Sequence, residues 1–154
     1  MLVEVVETPL PQATRALSRL PRVDYADAFR LSTGRATERS GEGWARAMLE
    51  DAPATTRQAL RDGWRALGLR LGAVDDPARV LGWPVRDSAP DHAVLAAESR
   101  LGMRAELVFR CEPGALRFST LVTLRNPLAR LVWAAIARKH RRFVRHLLVQ
   151  VEGR

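Results

Sequence analysis

Three histidines, His92, His140 and His146, and one cysteine, Cys111, are the only residues of their kinds in the chain, so the groups able to ligate a metal or form a covalent intermediate are few. No Gly-rich phosphate loop, dinucleotide fingerprint, serine nucleophile elbow or His-Glu-x-x-His pattern occurs. Without a cysteine-rich spacing or a close His–carboxylate cluster, neither a metal nor a cofactor is expected. Cys111 falls on the apolar side of an expected strand beside Glu112, whose charge raises a thiol pKa, so it reads as a small buried hydrophobe and not as a nucleophile.

Two residues remain as candidates for proton chemistry or ligand orientation, Asp27 and His140. Asp27 alternates with Tyr25, Phe29 and Leu31 and therefore shares their strand face, pointing into the interior or toward a pocket mouth. An interior carboxylate needs a partner: a backbone N–H, an arginine or a ligand. His140 lies within a turn of Ile136, Phe143 and Val144, where a neutral imidazole either donates to a ligand carbonyl, acts as acid or base, or is satisfied within the core. Lys139 is expected to snorkel to solvent. Thr120 interrupts the apolar Leu116, Phe118, Val122, Leu124 face, as strand threonines often do.

The elements that must position these residues follow from the apolar pattern. A short strand is expected near Leu2 to Val6 and a short helix around Ala13, Leu17 and Leu20, ended by Pro21. The Asp27 strand comes next. Ser40 caps a helix with Trp44 and Met48 on one face, and a second helix, capped by Asp51 with Pro53 in its first turn, carries Leu60, Trp64 and Leu67 as far as Gly68. Residues 71–81 read as irregular, with a turn at Asp75-Asp76-Pro77. Beyond them, Gly82-Trp83-Pro84-Val85 reads as a short edge strand, and Ala89-Pro90-Asp91 turns into a strand from His92 to Ser99. Met103 to Cys111 alternates, Pro113-Gly114 turns, and the strand after it completes a half-buried antiparallel meander.

Asn126 and Pro127 open a C-terminal helix running to about Leu148, some ~30 Å at 1.5 Å per residue. Leu128, Leu131, Val132, Ala135, Ile136, Phe143, Val144 and Leu147 form a wide apolar arc, so the helix is expected to sit in a curved sheet, with Arg130, Arg138, Arg141 and Arg145 facing water. The fold class is α+β, one domain spanning residues 1–154.

Composition bounds the setting. Hydrophobic residues make up 47% and charged residues 27%, values of a globular chain. No apolar run approaches the ~20 residues of a membrane-spanning helix. Met1 to Glu7 lacks a basic leader and carries acids, and one cysteine forms no internal disulfide, so a mature cytoplasmic protein is the expectation. The net charge of +8 invites nucleic acid or an anionic surface as partner, but all but one of the basic residues are arginines, scattered along the chain. Arg138-Lys139-His140-Arg141-Arg142 would diverge around a helix, which disfavours nucleic acid. The four tryptophans, Trp44, Trp64, Trp83 and Trp133, read as core or pocket lining.

The order of elements, together with Asp24-Tyr25-Ala26-Asp27-Ala28-Phe29, Gly82-Trp83-Pro84-Val85 and Arg125-Asn126 through Arg130, Trp133, His140 and Val144, resembles the helix-grip fold of the START and polyketide-cyclase-like (SRPBCC) superfamily. More narrowly, the chain is similar to a bacterial START-like family without an assigned activity, also found fused behind nucleotide-binding reductase-like domains. Arg138-Lys139 stands where relatives tend to carry Pro-Phe, so the middle of the helix is expected to pack differently. The resemblance implies a sheet curled around the last helix, enclosing a cavity for a small hydrophobic molecule. Its walls would be Tyr25, Phe29, Trp64, Leu107, Phe109, Phe118, Val122, Ile136 and Phe143, with Asp27 and His140 as orienting polar groups. Two alternatives stand beside it: a cyclase-, dehydratase- or isomerase-type cavity enzyme using His140 and Asp27, and arginine-mediated binding to nucleic acid or an anionic surface. The oligomeric state is left open.

Overall fold

Period-two alternation makes strands, and here it makes seven, joined in one antiparallel sheet. The computed structural model describes residues 3–154. In chain order the elements are β1 (Val5–Glu7), α1 (Gln12–Leu17), β2 (Tyr25–Ser32), α2 (Gly41–Leu49), α3 (Ala54–Ala66), β3 (Arg79–Val80), β4 (Trp83–Ala89), β5 (His92–Glu98), β6 (Met103–Glu112), β7 (Ala115–Leu124) and α4 (Pro127–Glu152). Across the sheet the order is β1-β2-β7-β6-β5-β4-β3, so a curled sheet faces a long C-terminal helix and two shorter ones. The first expected strand starts later, at Val5; Met1 and Leu2 lie outside the described residues.

Local chemistry explains most boundaries. The Ser40 hydroxyl accepts from Gly43 N at 3.0 Å and starts α2, and Asn126 Oδ1 accepts from Ala129 N at 2.7 Å and starts α4. The β6–β7 hairpin turns at Gly114, whose φ of +84° is open to glycine at little cost. Asp51 does not cap α3: the helix begins at Ala54 behind Pro53, with no side-chain cap. Gly82-Trp83-Pro84-Val85 is not the rim of the sheet, because the two-residue β3 pairs with Trp83 and Pro84 and β4 runs on to Ala89.

The concave face is shared by two helices. α4 crosses the β1–β2–β7 side, while α2 lies on β4, β5 and β6 and also touches α4. α2 sits so close that a Cβ at Gly41 would fall 2.3 Å from the backbone carbon of His92. Trp44 and Met48 of α2 therefore join one buried cluster with Phe29, Phe109, Phe118 and the α4 residues Leu147 and Leu148. Because α2 takes half of the face, α4 needs only a narrow seam. Ala129, Trp133, Val144, Leu147, Leu148 and Val151 are its buried residues, whereas Leu128 and Leu131, expected in the arc, are 54% and 70% exposed, and Ala135 is exposed too.

The opposite face is covered as well, which the half-buried reading of the meander did not anticipate. Leu20 packs on Val94, Val108 and Leu121, with Leu10, Leu17 and Val23 alongside, so all of β7 except Arg117 is buried. The covering segment is tied down by Glu106, itself buried on that face. Glu106 accepts from the Ser18 hydroxyl at 2.6 Å and from Arg19 N at 2.9 Å, and it pairs with Arg86. Arg86 in turn donates to the Leu17 carbonyl, so charge and backbone are satisfied together.

Candidate functional site

Strand register brings the polar candidates together. In the β2–β7 ladder Asp27 stands opposite Thr120 and Tyr25 opposite Val122, so Tyr25, Asp27 and Thr120 share the concave face. On α4, Trp133 and His140 are seven residues apart, about two turns, and present the same side to them. His140 Nε2 lies 3.1 Å from Asp27 Oδ2 and 3.1 Å from Thr120 Oγ1. The Tyr25 hydroxyl donates to Asp27 Oδ2 at 2.8 Å, and Thr120 N donates to Asp27 Oδ1 at 3.0 Å. The Trp133 ring meets Tyr25 edge-on at 4.9 Å between centroids and tilts against His140 at 5.2 Å.

This arrangement has chemical consequences. A carboxylate only accepts, so when the imidazole is neutral its hydrogen sits on Nε2 and the lone pair is left on Nδ1. Asp27 is almost wholly buried, while His140 keeps about a fifth of its side chain accessible. The imidazole is thus held from within and open at its other edge. Burial, followed by the charge and hydrogen bond of Asp27, pushes the Tyr25 hydroxyl well above the ordinary tyrosine range, so it stays a donor. The Trp133 indole N–H is buried with no acceptor.

Of the expected pocket walls, the structure gathers Tyr25, Val122 and Ile136 around Trp133. Phe29, Leu107, Phe109, Phe118 and Phe143 belong to the larger core, where Phe109 and Phe118 meet edge-on at 5.0 Å. Trp64 packs on the border of that same core, edge-on to Trp83 at 5.7 Å. Three surface clefts of about 290, 280 and 390 Å³ lie elsewhere, and none of the nine expected wall residues lines them. Between the sheet and α4, side chains from α2 add to the filling.

The other candidates separate. His92 pairs with Asp91 at 2.9 Å, and His146 is exposed. Lys139, Arg138 and Arg142 face solvent while His140 turns inward, so the basic run diverges around the helix. Cys111 is half-buried, and its thiol is pushed up by burial and then by the charge of Asp91, not by Glu112, which pairs with Arg117 at 2.7 Å. Among the described residues no three His, Cys, Asp or Glu side chains are grouped to hold a metal, and no helix is long and apolar enough to cross a membrane. Of the other cluster members, Thr120 carried no site role in the sequence reading and Trp133 was read only as core or pocket lining. Thr120 was legible only through its register with Asp27, and Trp133 only through its spacing to His140.

Comparison with protein-family models, with curated proteins and with solved structures finds no match to this chain.

Proposed function

We propose that the protein binds a small hydrophobic molecule carrying one polar oxygen, seated between the curled sheet and α4 where Tyr25, Asp27, Thr120, Trp133 and His140 converge. The observation that carries this reading is the Trp133 indole N–H, a buried donor with no acceptor beside an ordered polar network. Buried donors are nearly always paired; the Trp83 indole N–H is unpaired too, but only the Trp133 donor stands against the Tyr25 and His140 rings of a polar cluster, which favours it as the place for a ligand oxygen. A carbonyl or hydroxyl oxygen would accept from it, and the Nδ1 lone pair of His140 would accept from a ligand donor. The START-like resemblance supports the same placement.

Entry to the deeper walls would come through α3. Only Leu60 of that helix is buried, and Trp64 is partly so, which makes it the cheapest covering element to displace. Movement of α3 would uncover the part of the larger core on which Leu60 and Trp64 pack. Native mass spectrometry of the protein purified from its own host tests the reading. The expected result is a co-purified hydrophobic molecule released on denaturation and depleted in Trp133→Phe. A mass equal to the bare chain, with no binding of the uncharged dye Nile red, would refute it.

The 3.1 Å contact between His140 and Asp27 favours a second reading, proton transfer on the bound molecule. Asp27 would orient the imidazole, and Nδ1 would take a proton from carbon next to a carbonyl whose oxygen receives the Trp133 N–H. Exchange of deuterium from heavy water into a bound ketone, lost in His140→Gln, is the expected sign. Unchanged exchange in that variant would remove this reading and leave the binding one. Binding to nucleic acid or an anionic surface gains less support, because many arginines are already engaged, among them Arg22 with Asp24, Arg46 with Glu42 and Glu50, and Arg86 with Glu106.

A further inference from the structure

Each of the three surface clefts is edged by arginines, and the difference between them is what those arginines face. In the cleft beside Arg19, Arg86 and Arg104, Asp87, Glu106 and Glu98 respectively supply partners. In the cleft beside Arg46 and Arg57, Arg46 is held by Glu42 and Glu50, while Arg57 donates to the carbonyls of Glu50 and Ala52. The remaining cleft, of about 290 Å³, is edged by Arg61, Arg65 and Arg100 and lined by no carboxylate. Among the described residues Arg61 and Arg100 make no ion pair, and Arg65 has only the exposed Asp62 at 3.9 Å.

Besides the three arginines, the cleft is lined by Leu69, Leu71, Val74 and Leu81 and by Gly68 and Gly72, so apolar side chains supply part of its surface and polar atoms the larger part. The backbone around it is firmly tied. Arg100 N donates to Gly68 O at 2.9 Å, Arg70 N to Glu98 O at 2.8 Å, and Gly72 N to Gly82 O at 2.9 Å. Gly68 at φ +70° and Gly82 at φ +91° make the close approaches possible, since a Cβ on Gly82 would sit 2.9 Å from Gly72 O. Arg61 and Arg65 are four residues apart on α3, so both project toward the same side. Uncompensated positive charge with leucine and valine side chains beside it is the chemistry that recognises an anion carrying an apolar body.

We infer that this cleft is a second binding site, separate from the α4 cluster, for a small organic anion whose carboxylate or phosphate head pairs with Arg61, Arg65 and Arg100 while its apolar body lies on the leucines.

Octanoate, octanol, inorganic phosphate and anionic phospholipid vesicles separate the cases when added to ¹⁵N-labelled full-length protein. The expected outcome is saturable binding of octanoate, with amide shifts centred on residues 61–72, 81 and 100. It should be on the order of tenfold tighter than for octanol or phosphate, and weakened on the order of tenfold in Arg61→Gln/Arg100→Gln. Raising the salt should weaken octanoate and leave octanol unchanged. Equal binding of octanoate and octanol, equal binding of phosphate alone, or unchanged binding in the double variant would overturn the inference. So would shifts centred on Trp133 and His140, or attachment to vesicles without binding of free octanoate. If the double variant does not fold, the salt dependence and the map of shifts on the unaltered chain decide the matter.

Discussion

Replacing Asp27 with alanine removes one acceptor that three donors share: Thr120 N at 3.0 Å, the Tyr25 hydroxyl at 2.8 Å and His140 Nε2 at 3.1 Å. Thr120 is buried inside the β2–β7 ladder, so its stranded N–H costs about 1–3 kcal/mol. Tyr25 and His140 are only part-buried and can turn toward water, adding roughly 0.5–1 kcal/mol each. The sum, about 2–5 kcal/mol, is a large share of the roughly 5–15 kcal/mol that holds a domain of this size. At about 2–4 °C per kcal/mol, the midpoint should fall by roughly 4–20 °C. Asp27→Asn should cost less, about 1–2 kcal/mol, because the amide oxygen can still accept from Thr120 and both side-chain partners can switch to accepting. Urea melts measure the ordering, and ¹⁵N spectra of the imidazole measure the tautomer, with hydrogen expected on Nε2 of His140 in the unaltered protein. Two variants equal in stability, or hydrogen found on Nδ1, would show that Asp27 does not organise the cluster.

Other expectations follow from neighbouring geometry. Tyr25 is the only tyrosine, so an ultraviolet titration reads it alone; with its pKa raised by burial and by Asp27, no tyrosinate should form near pH ~10 in the folded state. Its stabilising contribution is therefore complete below about pH 10 and is lost as pH rises beyond it, and tyrosinate formation at an ordinary midpoint in folded protein would contradict the burial argument. Gly41→Ala should destabilise by about 1–3 kcal/mol despite alanine's better helix propensity, since its Cβ meets the His92 backbone. Gly63→Ala, where the Cβ meets open space on α3, should instead stabilise by about 0.5–1 kcal/mol, and denaturant midpoints compare the two. Cys111 should alkylate more slowly than free cysteine at mildly alkaline pH and reach the free rate on unfolding, as mass spectrometry would follow.

Much of the frame is written in short-range signals. Ser40, Asn126 with Pro127, and Gly114 each specify a boundary through one or two residues, and alternation put Tyr25 and Asp27 on one strand face. What was hidden depends on partners distant in sequence. Leu128 and Leu131 look like core in a helix read alone, and only the presence of α2 on the same face leaves them in water. Asp51 looked like a cap because its residue type suits one, yet the chain enters α3 two residues later through Pro53. The burial of Glu106 had no local signal at all, since Ser18, Arg19 and Arg86 reach it from elsewhere in the chain. The Asp27–His140 contact combines both kinds of information: each face was readable, while their meeting required the curvature of the sheet.

The two rims of the sheet, β1 and β3, are three and two residues long. β1 covers only Phe29 to Leu31 of β2 and β3 only Trp83 and Pro84 of β4, so the longer strands behind them carry the rest of each margin, and Arg145 occupies the Val5 carbonyl on one side. Along the part of β4 that β3 leaves uncovered, the register shift between Val85 and Asp87 bends the strand and spoils the ladder that lateral growth into fibrils would extend.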